Sequence, residues 1–353
     1  MRAAVFKETG RPLAVETLER PKPGPRDLIL KVRACGICGS DLHMTEAGTM
    51  MPLPSGSVMG HEFSGEVVEI GAAVAGLWKE GARVAGYPFI CCGDASPCVN
   101  VGYGAASCGK GQPVGLGQSH GAYAEYVRIG ASSAHRLPDI ISFEEGALVE
   151  PLAVGLHAVE MGKVSRGDTV LVIGAGPVGL AVALWAKFSG ARHVIVSERA
   201  PARITMATTF GATDVIDPAQ PLTTQVEKIA GKGPDVIFEC VGNPGMLNEA
   251  MMAAPRRSRI VVAGVCQGMD SIMPLVGIMK ELNVQFVLGY TARDFDFVIE
   301  MIAKDRIEPM AMITDRIALD GLPEAFEALR KPSLSWPRCH AGTPNSTESP
   351  LLT

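Results

Sequence analysis

Residues 170–179 read VLVIGAGPVG, an apolar run that leads into a glycine-rich turn. A continuous apolar run predicts a strand covered on both faces, as in a parallel sheet. Residues 180–188 then read as a helix, so the turn lies between a strand and a helix. In that setting Gly174 permits the tight turn, Gly176 lets a pyrophosphate approach the backbone, and Gly179 lets helix and strand pack closely. The stretch predicts a dinucleotide site beside a parallel sheet.

The residues around this turn bear on which dinucleotide binds. Pro177 and Val178 lie at the start of the predicted helix, where free amides and the helix dipole favour phosphate. Glu198 follows about twenty residues later, the spacing expected of a carboxylate that accepts from the ribose 2′-hydroxyl. Such a carboxylate repels a 2′-phosphate and favours NAD. The neighbouring Arg199 and Arg203 could instead bind that phosphate, so NADP stays an alternative.

The remaining apolar runs of this part of the chain alternate with helical segments. They are residues 194–196, 236–238, 260–262 and 284–288. Strands spaced in this way indicate βαβ units and a doubly wound parallel sheet. Before residue 138 the pattern differs, because short β-like runs are interrupted by Gly and Pro, which stop helices and mark turns. The fold class is therefore expected to be α/β, with an irregular all-β body beside the parallel sheet.

A second stretch, residues 35–62, reads CGICGSDLHMTEAGTMMPLPSGSVMGHE. Cys38, His61 and Glu62 offer a thiolate, an imidazole and a carboxylate, the ligand types of a tetrahedral catalytic zinc. Between them, Ser40 and His43 offer a hydroxyl and an imidazole close enough in sequence to form a proton path. A single Cys or His is more often a buried core residue, but here the donors occur within one long pattern, in which the Gly-His-Glu triplet is followed by further spaced glycines.

This pattern resembles the zinc-dependent medium-chain alcohol dehydrogenase family, and in particular its sorbitol, butanediol and threonine dehydrogenase branch. The resemblance implies a GroES-like irregular β-barrel as catalytic domain and a Rossmann sheet as nucleotide domain. The corresponding boundaries are residues 1–151 for the first part of the catalytic domain, 152–289 for the nucleotide domain and 290–331 for the return to the catalytic domain. Relatives are dimers or tetramers joined through the nucleotide domain, so a homodimer or homotetramer is expected.

The resemblance also assigns site residues. The zinc ligands carried over are Cys38, His61, Glu62 and Glu150, the last binding directly or through the water on the metal. Read without the family, Glu150 before Pro151 could be only a carboxylate at a helix start. Asp41 is expected to orient a ligand, as metal-bound histidines require. Backbone contacts to the nicotinamide are implied around Val241 and Val265.

The same family chemistry gives roles to the remaining groups. Zinc would act as a Lewis acid that lowers the pKa of the substrate hydroxyl. Ser40 would bind that oxygen and pass its proton, through the nicotinamide ribose, to His43 and solvent. His43 could also be only a surface histidine. The alkoxide carbon would then give its hydride to the nicotinamide.

Three segments depart from the family pattern. Relatives carry four spaced cysteines for a structural zinc, whereas here Cys91, Cys92, Cys98 and Cys108 are out of that spacing, with Ala95 and Ala106 at two of the four positions. We therefore expect one catalytic zinc and no structural zinc. The tail, residues 332–353, is polar and rich in Pro, Ser and Thr, so it is expected to be disordered, with the family's closing strand missing or replaced.

The third departure concerns the substrate. Gly289 stands where polyol enzymes of the branch use an arginine to hold substrate hydroxyls. Met44, Met50 and Met51 make the segment near the metal apolar, and methionine adapts to varied apolar shapes, although ordinary packing accounts for them equally well. Both features favour a secondary alcohol or a diol, or its ketone, as substrate. Alternatives are a polyol or threonine dehydrogenase, a zinc-free reductase, and a non-catalytic nucleotide-binding relative.

Composition limits the remaining possibilities. With 353 residues the chain is long enough for two domains of ~100–200 residues each. The net charge of −5 gives no reason to expect nucleic acid or an anionic membrane as partner, and the apolar runs are shorter than the ~20 residues a bilayer requires. The N-terminal residues lack the apolar segment of a secretory signal. Nine clustered cysteines suit metal binding in a reducing compartment, so a cytoplasmic location is expected.

Overall fold

The computed structural model describes residues 1–90 and 111–330, together with the backbone of residues 339–340 and 351–352. Within it the chain divides into two compact units. Among the described residues, the first unit comprises 1–90, 111–150, 290–330 and the two short strands of the tail, and the second comprises 151–289. None of the described helices is long and apolar enough to cross a membrane.

The first part of the chain is mostly β-structure. Its strands are β1 (Arg2–Val5), β2 (Ala14–Thr17), β3 (Asp27–Cys35), β4 (Phe63–Ile70), β5 (Arg83–Gly86), β6 (Phe89–Ile90), β7 (Gln112–Pro113), β8 (Tyr126–Gly130) and β9 (Ala134–Arg136), and its helices are α1 (Gly39–Met44) and α2 (Phe143–Met161). Short 3-10 turns cover Ala72–Val74 and Ala131–Ser133. The central strand is β3, which pairs antiparallel with both β4 and β8. Leu28, Ile29 and Leu30 of β3 are completely buried, because core covers both faces of this strand.

Helix α2 begins with a reciprocal cap. The hydroxyl of Ser142 accepts from the amide of Glu145, and the Glu145 carboxylate accepts from the Ser142 amide, which satisfies two donors that a helix N-terminus leaves free. The helix then continues through Pro151 for 19 residues. Glu150 therefore lies in the middle of a helix, so its reading as a helix-start carboxylate is wrong. The cap chemistry at Ser142 places the start eight positions earlier.

The second unit is a parallel sheet with helices between its strands. Its strands are β10 (Thr169–Ile173), β11 (His193–Ser197), β12 (Asp214–Ile216), β13 (Val236–Glu239), β14 (Arg259–Val262) and β15 (Asn283–Phe286), and its helices are α3 (Pro177–Phe188), α4 (Pro201–Thr209), α5 (Leu222–Ala230), α6 (Met246–Ala253) and α7 (Pro274–Lys280). The strand order is β12-β11-β10-β13-β14-β15, and each neighbouring pair runs parallel. The order reverses between β10 and β13, which is the point where such sheets bind dinucleotides.

The chain then returns to the first unit. The returning elements are α8 (Ala292–Ala303), β16 (Ile313–Asp315), β17 (Ile317–Ala318), α9 (Leu322–Arg330), β18 (Cys339–His340) and β19 (Leu351–Leu352), with 3-10 turns at Met310–Met312 and Leu319–Gly321. Helix α8 begins at a capping box in which Thr291 and Asp294 exchange side-chain and backbone hydrogen bonds. Strand β18 pairs with β16, and β19 lies between β17 and β3.

The two tail strands correct one expectation. Residues 339–340 and 351–352 are strands, so the prediction of a tail without β-structure is wrong for these four positions. A strand of two residues is too short to show an alternating pattern in the sequence, and these two pair with β16 and β3, whose edges can accept a further strand. The rest of the tail, residues 331–338, 341–350 and 353, lies outside the described residues.

Candidate metal centre and cofactor loop

Strand pairing brings the two halves of the metal stretch together. Strand β3 ends at Cys35, opposite Phe63 at the start of β4. Residues 36–38, just after β3, therefore lie near residues 61–62, just before β4. The amide of Gly36 donates to the carbonyl of Glu62 at 2.6 Å, which joins the two segments at this point.

Three predicted ligands form one group. The donor atoms of Cys38, His61 and Glu62 all lie within 4.8 Å of one another. His61 and Glu62 are each 6% exposed. Bonds of ~2.0–2.3 Å from zinc to S, N and O require donors only a few ångströms apart. The donor set and its spacing therefore fit zinc, and it is the one such group among residues 1–90 and 111–330.

Electrostatics also favour a cation here. Burial, together with the charge of Glu150, raises the pKa of Glu62 to about 8. Burial likewise raises the pKa of the Cys38 thiol, with a contribution from Glu62. Burial by itself would lower the pKa of His61, but the Asp41 carboxylate raises it well above its ordinary value. Anionic donors that are costly to charge without a counter-ion are stabilised by a bound divalent cation.

Asp41 lies next to the predicted ligand His61. Its side chain is fully buried, and Oδ2 accepts from the amide of Cys38 at 3.1 Å. Oδ1 lies 3.4 Å from Nδ1 of His61, which is longer than a well-formed hydrogen bond, and neither atom forms another hydrogen bond. The carboxylate therefore faces the ring nitrogen that a metal-bound histidine directs away from its metal.

Glu150 is not part of the group of three. Its carboxylate is 7% exposed. Burial raises the pKa of Glu150, although the nearby charge of His61 and the Tyr290 hydroxyl lower it. The sequence did not indicate that Tyr290 lies near Glu150, because an isolated tyrosine after Gly289 carries no pattern.

The predicted proton path lies on α1. Ser40 is half-buried in the first turn of α1 and His43 half-buried in the last. Nδ1 of His43 lies 3.3 Å from Oε2 of Glu46. Of the three methionines, Met44 is buried at 2% exposure, which is ordinary packing, while Met50 and Met51 are exposed. The cysteine lobe with Cys91, Cys92, Cys98 and Cys108 lies outside the described residues.

The glycines of the second unit have the geometry that their motif implies. Gly174 has φ +94°, a backbone conformation that favours glycine. A Cβ on Gly179 would lie 2.0 Å from the carbonyl oxygen of Gly174, whereas one on Gly176 would meet nothing within 4 Å. The turn is thus closed where helix and strand meet and open where a phosphate would approach. Helix α3 begins with Pro177 in its first turn, followed by Val178.

Glu198 is held in place by the backbone. Its carboxylate accepts from the amides of Ala175, Arg199 and Ala200 at 2.8–3.1 Å, and Arg203 lies 3.5 Å away. Burial would raise the pKa of Glu198, but these amide bonds, with the Arg203 charge, lower it overall. The carboxylate is therefore charged and fixed at the end of β11.

The loops after β13 and β14 contain the two valines that were expected to contact the nicotinamide. Val241 and Val265 are 41% and 48% exposed, which suits contact with a ligand. The carboxylate of Glu239 accepts from the amides of Val241 and Gly242 at 2.7 and 2.8 Å. Glu239 is a positioning residue that the sequence analysis missed. An acidic residue at the end of an otherwise apolar strand was the available signal.

Comparison with known proteins defines the class. A family model described as an alcohol dehydrogenase GroES-like domain matches residues 24–139, and one described as a zinc-binding dehydrogenase matches residues 177–304. (R,R)-butanediol dehydrogenase of Bacillus subtilis is 34% identical over 333 residues, which cover 90% of this chain and 93% of that protein. Human sorbitol dehydrogenase is 32% identical over 334 residues, 90% of each chain. The crystal structure of 2R,3R-butanediol dehydrogenase from Bacillus subtilis matches with a TM-score of 0.83 at 32% identity, over 95% of this chain and 97% of that one.

A GroES-like unit and a parallel nucleotide sheet, with these matches, define an NAD(P)-dependent alcohol dehydrogenase. The chain belongs to the zinc-dependent medium-chain alcohol dehydrogenase family. The predicted fold class is confirmed. The readings as a zinc-free reductase or a non-catalytic relative are set aside, because relatives that match nearly the whole chain are diol and polyol dehydrogenases.

Proposed function

We propose that this enzyme oxidises secondary alcohols, and 2,3-diols in particular, with NAD, using a single zinc held by Cys38, His61 and Glu62. The observation that carries the proposal is the buried group of these three donors, whose ligand atoms lie within 4.8 Å of one another. Glu150 lies next to this group and would complete it directly or through a water molecule. The reverse reaction, reduction of the corresponding ketone, uses the same residues.

The chemistry divides between the bound groups and the chain. Zinc supplies Lewis acidity that lowers the pKa of the substrate hydroxyl, and the nicotinamide accepts the hydride. Ser40, at the N-terminus of α1, receives the hydroxyl proton and passes it toward His43. Since His43 is partly exposed beside Glu46, it can release the proton to solvent. Asp41 holds the imidazole of His61 in orientation.

The preference for NAD rests on Glu198. Its charged carboxylate is held by three backbone amides, so it cannot easily turn away from an incoming 2′-phosphate. Arg203 is already engaged with that carboxylate at 3.5 Å, which leaves it less available for a phosphate. NADP is the second candidate, since Arg199 is adjacent. Pro177, Val178, Val241 and Val265 would line the rest of the cofactor site.

The preference for a substrate less polar than a sugar alcohol rests on Gly289. This residue has φ +63° and offers no side chain to hold additional hydroxyls. The next residue, Tyr290, is buried and its hydroxyl lowers the pKa of Glu150. A chain without a cationic donor at this position is better suited to substrates with one or two hydroxyls than to a hexitol.

We also propose that two copies associate through the β15 edge of the nucleotide sheet. β15 is the last strand in the described sheet, and a free strand edge is a template for pairing with another chain. Exposed apolar side chains occur beside it on and around α7: Leu275, Ile278, Met279, Phe286 and Leu288. Exposed apolar side chains on two consecutive elements support an interaction surface here.

A cytoplasmic location is in keeping with the free cysteines Cys35, Cys38, Cys240 and Cys266.

The test combines zinc analysis with turnover. We would measure zinc per purified chain and follow the absorbance of the reduced cofactor with secondary alcohols, 2,3-diols and hexitols, using NAD and NADP. The proposal predicts about one zinc per chain and the highest kcat/KM with a secondary alcohol or diol and NAD. Two zinc ions per chain would refute the single site, and higher activity on sorbitol would refute the substrate class.

A matched pair of variants tests the ligand assignment. Glu62→Gln should lose zinc and turnover together. Glu66→Gln changes a glutamate further along the chain, on β4, where it pairs with Arg33 at 2.6 Å, and this variant should retain both. Equal loss in the two variants would indicate a general folding defect instead of the loss of a ligand.

A further inference from the structure

Tyr123 contacts Asp41 and Gly60, two residues next to the proposed metal ligands. It lies just before β8 and is fully buried. Its hydroxyl donates to Oδ2 of Asp41 at 2.7 Å, across 82 positions of sequence. A buried tyrosine hydroxyl normally finds one partner, and here the partner is the carboxylate that faces His61. The bond therefore connects a residue outside the metal stretch to a metal ligand through one intermediate.

The backbone sets the position of this tyrosine. The amide of Gly121 donates to Val58 at 2.8 Å, and the amide of Tyr123 donates to Met59 at 2.9 Å. The segment thus runs alongside the residues that lead into His61. Gly60, at φ +93°, has no room for a side chain, because a Cβ would lie 2.5 Å from the Tyr123 ring. Ring and metal loop are therefore in direct contact.

The two carboxylate oxygens of Asp41 have different partners. Oδ2 accepts from two donors, the Tyr123 hydroxyl at 2.7 Å and the Cys38 amide at 3.1 Å. Oδ1 has no hydrogen bond and lies 3.4 Å from Nδ1 of His61. Two donors on one oxygen fix the plane of a carboxylate. The second oxygen is then directed at the imidazole.

We propose that Tyr123 is a positioning residue for the zinc centre, which acts by holding Asp41 so that Oδ1 faces His61. This inference rests on the zinc centre proposed above. Burial raises the pKa of Tyr123 well above its ordinary value, and the charge of Asp41 raises it further. The hydroxyl thus keeps its proton and serves as a donor. The group contributes no chemistry to the substrate, only the orientation of a ligand.

Substitution can separate the packing of the Tyr123 ring from the hydrogen bond of its hydroxyl. The Tyr123 ring packs edge-on to Phe326 of α9 at 6.5 Å, and it covers Gly60. Tyr123→Phe keeps both contacts and removes only the hydroxyl, so it separates ring packing from the bond to Asp41. Ser57→Ala is a matched control, because it removes another buried hydroxyl of the first unit, one that donates to Pro54 at 2.7 Å.

The measurements are zinc release to a chelator and the absorption spectrum of the cobalt-substituted protein. Loss of groups that orient metal ligands lowers metal affinity about 10- to 100-fold. Tyr123 acts on His61 only through Asp41, so we expect a smaller effect in Tyr123→Phe: zinc release about 3- to 10-fold faster, with a shift of the cobalt bands. Ser57→Ala should change neither. Release and spectrum equal to those of the wild type would overturn the proposal, whatever happens to the melting temperature. Wild-type protein that binds no zinc would instead overturn the proposed function.

Two further comparisons complete the test. In an Asp41→Asn background, Tyr123→Phe should cause little additional zinc loss, because residues that act through one another are not additive. A full additional loss would show that Tyr123 does not act through Asp41. If the Phe variant does not fold, 3-fluorotyrosine incorporated at position 123 alone, with the other four tyrosines unchanged, retains the ring and alters the donor strength of this phenol. Altered zinc release in that protein would support the proposal, and unaltered release would refute it.

Discussion

Gly36→Ala should remove Glu62 from the metal without changing any ligand. A Cβ at position 36 would lie 2.0 Å from Oε2 of Glu62 and 3.0 Å from its Cβ. The backbone cannot separate to relieve this contact, because the Gly36 amide donates to the Glu62 carbonyl at 2.6 Å. The φ of Gly36 is not in the left-handed region, so alanine adds no backbone strain. The carboxylate must therefore leave its position.

The size of the effect follows from the number of ligands. Loss of a group that only orients a ligand costs about 10- to 100-fold in metal affinity. Displacement of one ligand out of three should reach at least the upper value. A 100-fold loss corresponds to about 2.8 kcal/mol, since each factor of ten is worth ~1.4 kcal/mol. The variant should then lose its zinc during dialysis against a moderate chelator that leaves the wild type loaded.

Gly39→Ala provides the matched control. A Cβ at Gly39 meets nothing within 4 Å, and the residue is the first of α1, where alanine is well tolerated. We would compare zinc content, chelator competition and thermal unfolding for both variants. Gly36→Ala should lose zinc while still unfolding cooperatively, and Gly39→Ala should match the wild type. Unchanged zinc affinity in Gly36→Ala would refute the assignment of Glu62 as a ligand.

Three further predictions concern the second unit. Glu198→Gln removes a charge that repels a 2′-phosphate, and like charges ~4 Å apart interact by ~4 kcal/mol at an effective dielectric constant of 20. The ratio of kcat/KM for NADP to that for NAD should rise about tenfold or more, and an unchanged ratio would contradict the role of Glu198. Gly179→Ala places a Cβ 2.0 Å from the Gly174 carbonyl oxygen. Calorimetry should therefore show that this variant loses NAD binding while it retains zinc. Normal NAD affinity would argue against close packing at this turn. Phe286→Asp puts a charge on the exposed apolar surface and should lower the mass in light scattering to that of one chain, whereas an unchanged mass would place the interface elsewhere.

The site was predictable to the extent that its chemistry is local. Cys38, His61 and Glu62 were predicted as ligands because a thiolate, an imidazole and a carboxylate within one spaced pattern are typical of a zinc site. Glu150 was predicted as a ligand only through the family resemblance, and its place in the middle of α2 was not predicted. Proline usually marks the start of a helix, but the cap at Ser142 determines where this one begins.

The sequence by itself determined the parallel sheet, the glycine turn and the set of candidate metal donors. Each of these depends on residues that are neighbours in the chain, where apolar runs, backbone freedom and ligand chemistry can be read directly. Tertiary structure decided how the donors are held. The bond from Tyr123 to Asp41 and the pairing of Leu351–Leu352 with β3 join segments far apart in sequence. Such contacts follow from strand pairing and burial, because a buried polar group takes the partner that the fold brings to it.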